Sequence, residues 1–163
     1  MSNNRLKKGG QCKLTPMDLT HTDLIIEWRN DPRITPWFHE KRTFTKAGHE
    51  AWLSSQFESE LSKNWIILDP VGSPVGAVSL YNINEPDRKA EFGRLVVGPQ
   101  HQGAGYGAAA LELVMDKAAA MGLRSIYLTV KSSNHRAISI YSNFNFQEIS
   151  NSDGVVTMER SII

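Results

Sequence analysis

Apolar positions along the chain follow two rhythms. Leu19, Leu24, Ile25 and Trp28 recur at near-helical spacing, and Trp52, Leu53 and Phe57 do so again. The first helix should stop at Asn30-Asp31-Pro32, because the residue before proline avoids the helical region. Thr45 is placed to cap the second. Strand-type runs then take over: a short one near Cys12–Leu14, then Trp65–Leu68, Val75–Tyr81 and Ala90–Val97. Asp69-Pro70-Val71-Gly72 and the polar stretch Asn84–Lys89 read as the turns between the last three. A third helix is expected from about Gly105, with Leu111, Val114, Met115 and Ala118 on one stripe and Met121-Gly122 as its stop. Ser125–Val130 reads as a strand, and Ser133 or Asn134 can cap a fourth helix reaching about Asn143. Phe146–Ile149 and Val155–Ile162 close the chain as an antiparallel pair around Ser152-Asp153-Gly154. This layout predicts an α+β fold, with a mostly antiparallel sheet flanked by about four helices.

Size and composition narrow the class. At 163 residues, 40% apolar and 21% charged, the chain should form a single globular domain over residues 11–163, behind a flexible polar tail at 1–10. A net charge of +1 gives no field favouring nucleic acid or membrane surfaces. No apolar run approaches the ~20 residues of a membrane helix, and the polar, basic start is unlike a secretory signal. Cys12 is the only cysteine, so no internal disulfide forms, and it reads as a packing residue. A cytoplasmic protein is expected. His49-Glu50 does not continue as a zinc motif, because position 53 is Leu, and no metal cluster is expected.

The stretch Leu95 to Gly107, LVVGPQHQGAGYG, carries the first chemistry. A strand, a glycine-rich loop and a helix N-terminus make an anion site, because unpaired amides and partial positive charge gather there. Gly103, Gly105 and Gly107 let a phosphate approach the backbone closely. The Gly-Lys-Ser/Thr ending of a P-loop is missing, which argues against ATP hydrolysis. The glycines also follow a meander rather than opening a βαβ unit, unlike a dinucleotide fingerprint. A second motif lies in residues 134–146, NHRAISIYSNFNF, where Asn134, Ala137, Ile138 and Tyr141 share one helical face. Singly, Asn134 reads as a helix cap and Tyr141 as a half-buried core tyrosine.

Together and in this order, the two motifs resemble the GNAT superfamily of acetyl-CoA-dependent N-acetyltransferases. Gln102, Gly105 and Gly107 match that family's pyrophosphate loop, and Asn134, Ala137 and Tyr141 match its later helix. One departure is visible: Asn145 stands before Phe146 where the family usually has glycine, and Asn tolerates the left-handed cap nearly as well. The resemblance implies a sheet splayed at the cofactor site and acetyl-CoA as cosubstrate, held by the loop from Gln102 through Gly103, Ala104, Gly105 and Tyr106 to Gly107. It also implies pairing of the pantetheine arm with Leu95 and Val97, with Asn134 as a side-chain contact. A backbone N–H near Val96 or Val97 is the oxyanion donor to expect. Tyr141 is the candidate general acid for the leaving thiolate, since a phenol of pKa ~10 stands near a thiol of pKa ~8.5. Glu91 is the leading candidate base for the amine and His49 the second. Their ordinary alternatives are a surface strand glutamate and a solvated helical histidine.

The acceptor is read from Trp28-Arg29-Asn30 and Trp37-Phe38-His39. Arg29 can grip a phosphate or carboxylate, and Trp37 or Phe38 can stack on a base or sugar. The plainer alternative is a helix end with ordinary core tryptophans. Trp28-Arg29-Asn30 with Glu91-Phe92-Gly93 looks like the branch that acetylates the 4-amino group of nucleotide-linked amino-deoxy sugars. Branches acting on polyamines or ribosomal-protein N-termini share much of that pattern. Arg29, Arg33, Lys41 and Arg42 lean basic and rank the nucleotide sugar first. A non-catalytic acetyl-CoA-binding module is the remaining alternative. The partner expected is a small-molecule amine, with a homodimer as the assembly guess.

Overall fold

The structure, a computed structural model, describes residues 12–38 and 43–162. The expected tail at 1–10, and His39, Lys41 and Arg42 of the acceptor reading, lie outside the described residues. Among the described residues seven strands and four α-helices follow one another as β1 (Lys13–Pro16), α1 (Thr22–Asn30), α2 (Lys46–Phe57), β2 (Lys63–Leu68), β3 (Pro74–Asn84), β4 (Lys89–Val97), α3 (Tyr106–Ala120), β5 (Ser125–Lys131), α4 (His135–Asn143), β6 (Gln147–Ser152) and β7 (Val155–Ser161). The strands form one sheet in the order β1-β2-β3-β4-β5-β7-β6. All neighbours are antiparallel except β4 and β5, which run parallel and are joined through α3.

Local chemistry explains the helix limits. Thr45 caps α2 by accepting from the Gly48 amide at 3.1 Å, and Asn134 caps α4 by accepting from the Ala137 amide at 3.2 Å. Gly122, at φ 82°, follows the last turn of α3, and Asn145, at φ 65°, follows α4. Ahead of α1, Leu19–His21 forms a 3₁₀ turn closed by a reciprocal Asp18–His21 capping box. This corrects the expected helical face: Leu19 stays exposed, while Ile25 and Trp28 are buried. Phe57 is likewise exposed at the end of α2, and Ile149 is exposed on β6, an edge strand with no buried residue.

Two apolar clusters sandwich the sheet. Ile25, Trp28 and Leu53 of α1 and α2 pack with Ile66, Ala77 and Val96. The expected stripe of α3 (Leu111, Val114, Met115 and Ala118) packs with Val78, Leu80, Phe92, Ile126 and Leu128, and Tyr141 of α4 joins that cluster. Cys12 is buried in it as well, and burial pushes its thiol pKa up.

β4 is the strand that opens the sheet. It pairs with β5 only at Lys89↔Ser125, Ala90↔Ile126 and Glu91↔Tyr127, and beyond that point the two strands part. On its other side, Ala77 faces Val96 and Ser79 faces Gly93, so Arg94 and Leu95 together oppose Val78. That extra residue is a β-bulge, and Arg94 sits in it at φ 51°. A Cβ at Gly93 beside it would lie 2.6 Å from the Tyr81 hydroxyl, so any larger residue there would displace the Tyr81 ring.

Candidate active site

A single open cavity of about 1020 Å³ fills the gap between the parted strands. Its floor is β4 from Phe92 to Val97. One end is the loop after β4 with the N-termini of α3 and α4, and the other is built by α1, α2 and the loops beside them.

At the loop end the chain turns through a 3₁₀ segment, Pro99–His101, and then through Gly103 at φ 82° and Gly105 at φ 89°. Those conformations disfavour any residue with a Cβ. Gly105 stands at the N-cap of α3 without a side-chain cap. The first helical bond there runs from the Ala109 amide to the Gly105 carbonyl at 3.0 Å. The amides of Tyr106, Gly107 and Ala108 therefore have no partner among the described residues, and all three residues line the cavity. A Cβ on Gly107 would meet only Leu95 Cδ2 at 3.6 Å and Val97 Cγ2 at 3.9 Å, ordinary packing distances. Packing does not require that glycine. Gln102, Gly103, Gly105, Tyr106 and Gly107 all border the cavity, whereas Ala104 does not and packs against the core instead.

Strand alternation sorts the backbone groups of β4. The Gly98 amide donates to Val75 on β3 at 2.8 Å. Successive residues point their N–H and C=O to opposite sides. Val96 therefore faces β3 with Gly98, while Leu95 and Val97 face the gap. Gln102 Nε2 reaches the Val97 carbonyl from the gap side at 3.3 Å, in keeping with this. Of the two amides expected for an oxyanion, this leaves Val97.

Tyr141 projects from α4 onto the same gap. Its ring sits edge-on to Phe92, centroids 6.3 Å apart, and to Phe146 at 6.1 Å. Its hydroxyl makes no hydrogen bond within the described chain, yet it is not among the sealed, unpartnered atoms, so it opens on the cavity. Burial pushes the phenol pKa up to about 12. Asn134 borders the cavity too. Its oxygen is committed to capping α4, and its Nδ2 makes no hydrogen bond among the described residues.

The candidate bases stand differently. Glu91 does not border the cavity. It accepts from the Tyr81 hydroxyl at 2.7 Å and from Asn82 Nδ2 at 3.1 Å, and Tyr81 is the residue that does border it. Burial, and then the bond to Glu91, raise the Tyr81 pKa. His49 is buried in the wall rather than solvated; its Nε2 has no partner. Burial, and then the charge of Arg29, hold its pKa below the usual imidazole value.

Arg29, Trp37 and Phe38 all border the acceptor end. The Arg29 guanidinium lies over Phe38 at 5.3 Å and Phe44 at 5.6 Å, and its Nη2 donates to the Arg94 carbonyl at 3.1 Å. Among the lining residues that the sequence did not point to are Trp52, Tyr81 and Arg94. Trp52 and Tyr81 carried only core and strand signals. A signal for Arg94 existed in Gly93, since a glycine inside a strand marks a bulge.

The chain matches the Acetyltransferase (GNAT) family over residues 23–146. It belongs to that family. The enzyme is an N-acetyltransferase, and its acetyl donor is acetyl-CoA. Among solved structures, spermidine N-acetyltransferase from Vibrio cholerae, in complex with CoA and spermine, shares 22% identity at TM-score 0.85, covering 93% of this chain and 96% of its own. A domain from Methanocaldococcus jannaschii shares 20% identity at TM-score 0.80, covering 92% and 97%. A dodecameric form of the Vibrio enzyme matches at 22% identity and TM-score 0.78, over 94% and 95%. At these identities the likeness is one of fold. No curated protein sequence matches the chain.

Acetyl-CoA suits the residues present. The orphaned amides of Tyr106–Ala108, the bare Cα of Gly107 and the gap-facing backbone of Leu95 and Val97 offer what a diphosphate and an amide-bearing arm require. Among the described residues, no group of three or more His, Cys, Asp or Glu could hold a metal ion. No helix among them is long and apolar enough to cross a membrane.

Proposed function

We propose that this acetyltransferase acts by direct attack of a small primary amine, with donor and acceptor held together in the gap between β4 and β5. The observation that carries this is the end of β4–β5 pairing at Glu91↔Tyr127, with the unbonded Tyr141 hydroxyl opening on the gap beyond it. Acetyl-CoA supplies a thioester ready for attack by an amine. The amides of Tyr106, Gly107 and Ala108 would hold its diphosphate, with Gln102 and Gly103 beside them. Leu95 and Val97 would pair with its arm, with Asn134 Nδ2 alongside. The Val97 amide would donate to an oxygen that gains charge. Tyr141 would donate at the sulfur end. With its pKa near 12 it keeps its proton at any working pH, so it serves first as a hydrogen-bond donor.

An alkyl ammonium of pKa ~10 must lose a proton before it attacks. Glu91 is the group for this, acting through the Tyr81 hydroxyl that bridges it to the cavity. His49, held neutral by burial, is the second candidate.

Two acceptor classes remain in view. Solved structures similar to this chain include enzymes named for spermidine, which favours a polyamine over the nucleotide-linked amino sugar. The Arg94 guanidinium in the cavity wall favours an acceptor with a negative group, such as the nucleotide sugar, and no Asp or Glu borders the cavity among the described residues. A panel of amines, with initial rates of CoA release, separates the two. Tyr141→Phe should lower turnover roughly 10²-fold while leaving acetyl-CoA affinity in place. Equal turnover in that variant removes the donor role.

A further inference from the structure

The guanidinium of Arg94 is only partly satisfied by its neighbours. It is half-buried in the cavity wall, lying over the Tyr81 ring at 4.1 Å and the Trp52 ring at 5.1 Å. It makes no ion pair among the described residues. Its only hydrogen bonds among the described residues are long ones from Nη1, to Gln56 Oε1 at 3.4 Å and Asn64 Oδ1 at 3.5 Å. Both oxygens already accept from the hydroxyls of Ser62 and Ser79. Nε and Nη2 donate to nothing among the described residues. A guanidinium presents a planar fork that fits a carboxylate or phosphate bidentately.

The backbone points the same way. Arg94 holds a left-handed conformation, φ 51°, inside the bulge that starts the gap. Bulges beside active sites re-aim side chains, and a strained non-glycine residue there is a sign of function. Two further groups gather around it. Arg29 donates to the Arg94 carbonyl, and the buried His49 Nε2 faces no partner in the same wall. Trp52 lies against both Arg94, at 5.1 Å, and His49, at 5.5 Å, so this part of the wall pairs an aromatic face with polar groups.

We propose that Arg94 anchors an anionic group of the acceptor, a carboxylate or a phosphate, a few bonds from the amine that is acetylated. This rests on the acetyltransferase reading above and names the acceptor's chemistry within it. Arg94 belongs to the strand that lines the reaction gap, one residue before Leu95, so an anion it holds is close to the transferred group. The same cation repels a polyamine.

Matched amines test this directly. CoA release is followed with propylamine against β-alanine, ethanolamine against phosphoethanolamine, and with spermidine. The anionic member of a pair should have a kcat/KM at least about tenfold higher, chiefly through KM. β-Alanine and phosphoethanolamine tell a carboxylate site from a phosphate site. Arg94→Gln should bring each ratio towards one, and Arg94→Lys should keep part of it. Preference for spermidine, or ratios unmoved by Arg94→Gln, overturns the proposal. Calorimetry on the CoA-saturated protein separates this from failure of acetyl transfer itself. Binding of β-alanine or phosphoethanolamine that Arg94→Gln abolishes supports the anchor even without turnover. No binding of either by the wild type, with CoA bound, overturns the anchor alone.

Discussion

Gly107, a glycine in the first turn of α3, and Arg94, a non-glycine at φ 51°, each stand against the backbone preference of their position. A methyl group on Gly107 would meet only side chains at 3.6 and 3.9 Å, and glycine costs a helix about 1 kcal/mol relative to alanine. Gly107→Ala should therefore keep or raise the denaturant midpoint while weakening acetyl-CoA binding about tenfold, as titration of the same sample would show. Undiminished affinity would place the diphosphate elsewhere. His49 gives a pH signature. Its folded pKa lies below its unfolded value of 6.5, so the unfolded chain takes up the proton first as pH falls. Its contribution to stability is complete above pH 6.5 and is lost as the pH drops through the folded pKa. Urea midpoints at about pH 7.5 and about pH 5.5 should converge in His49→Gln relative to the wild type. The loop glycines were legible because a bare helix start shows in composition. Arg94 was marked only by Gly93 beside it, because a bulge changes strand register without changing the apolar pattern around it.

At the scale of the element, caps and stops carried the most information. Thr45, Asn134, Gly122 and Asn145 stand where the helices begin and end. Asn145 at φ 65° predicts that Asn145→Ala destabilises by about 1–2 kcal/mol and that Asn145→Gly is neutral or stabilising, read from thermal midpoints. Apolar spacing misled where a competing local interaction won. The Asp18–His21 box turned Leu19 into a 3₁₀ segment, and Phe57 and Ile149 sit at an element's end or edge, where spacing says nothing about what covers them. The parted strands were expected from the family resemblance alone. Nothing in the residues of β4 and β5 taken separately shows that their pairing stops at Glu91↔Tyr127.

The whole molecule is nearly neutral, with a net charge of +1, yet its described cavity lining holds arginines and no carboxylate. Overall charge therefore hid the local make-up of the lining, because carboxylates lie outside the cavity: Glu91 behind Tyr81, and Asp31 paired with Arg33 at 2.8 Å. A ligand that binds only the folded chain stabilises it by about 2.7 kcal/mol at a hundred times its Kd. For a chain of this size that is a rise in Tm of roughly 5–10 °C with acetyl-CoA. The exposed edge strand β6 leaves room for pairing with a second copy, as the homodimer expectation requires. The central claim is that α3's first amides and the β4–β5 gap bring the donor's sulfur to Tyr141. A crystal structure with CoA measures it directly. The account predicts a sulfur within hydrogen-bonding reach of the Tyr141 hydroxyl, about 3–4 Å, and the diphosphate on the amides of Tyr106–Ala108. A sulfur lying beyond the gap, or a diphosphate bound away from those amides, would contradict it.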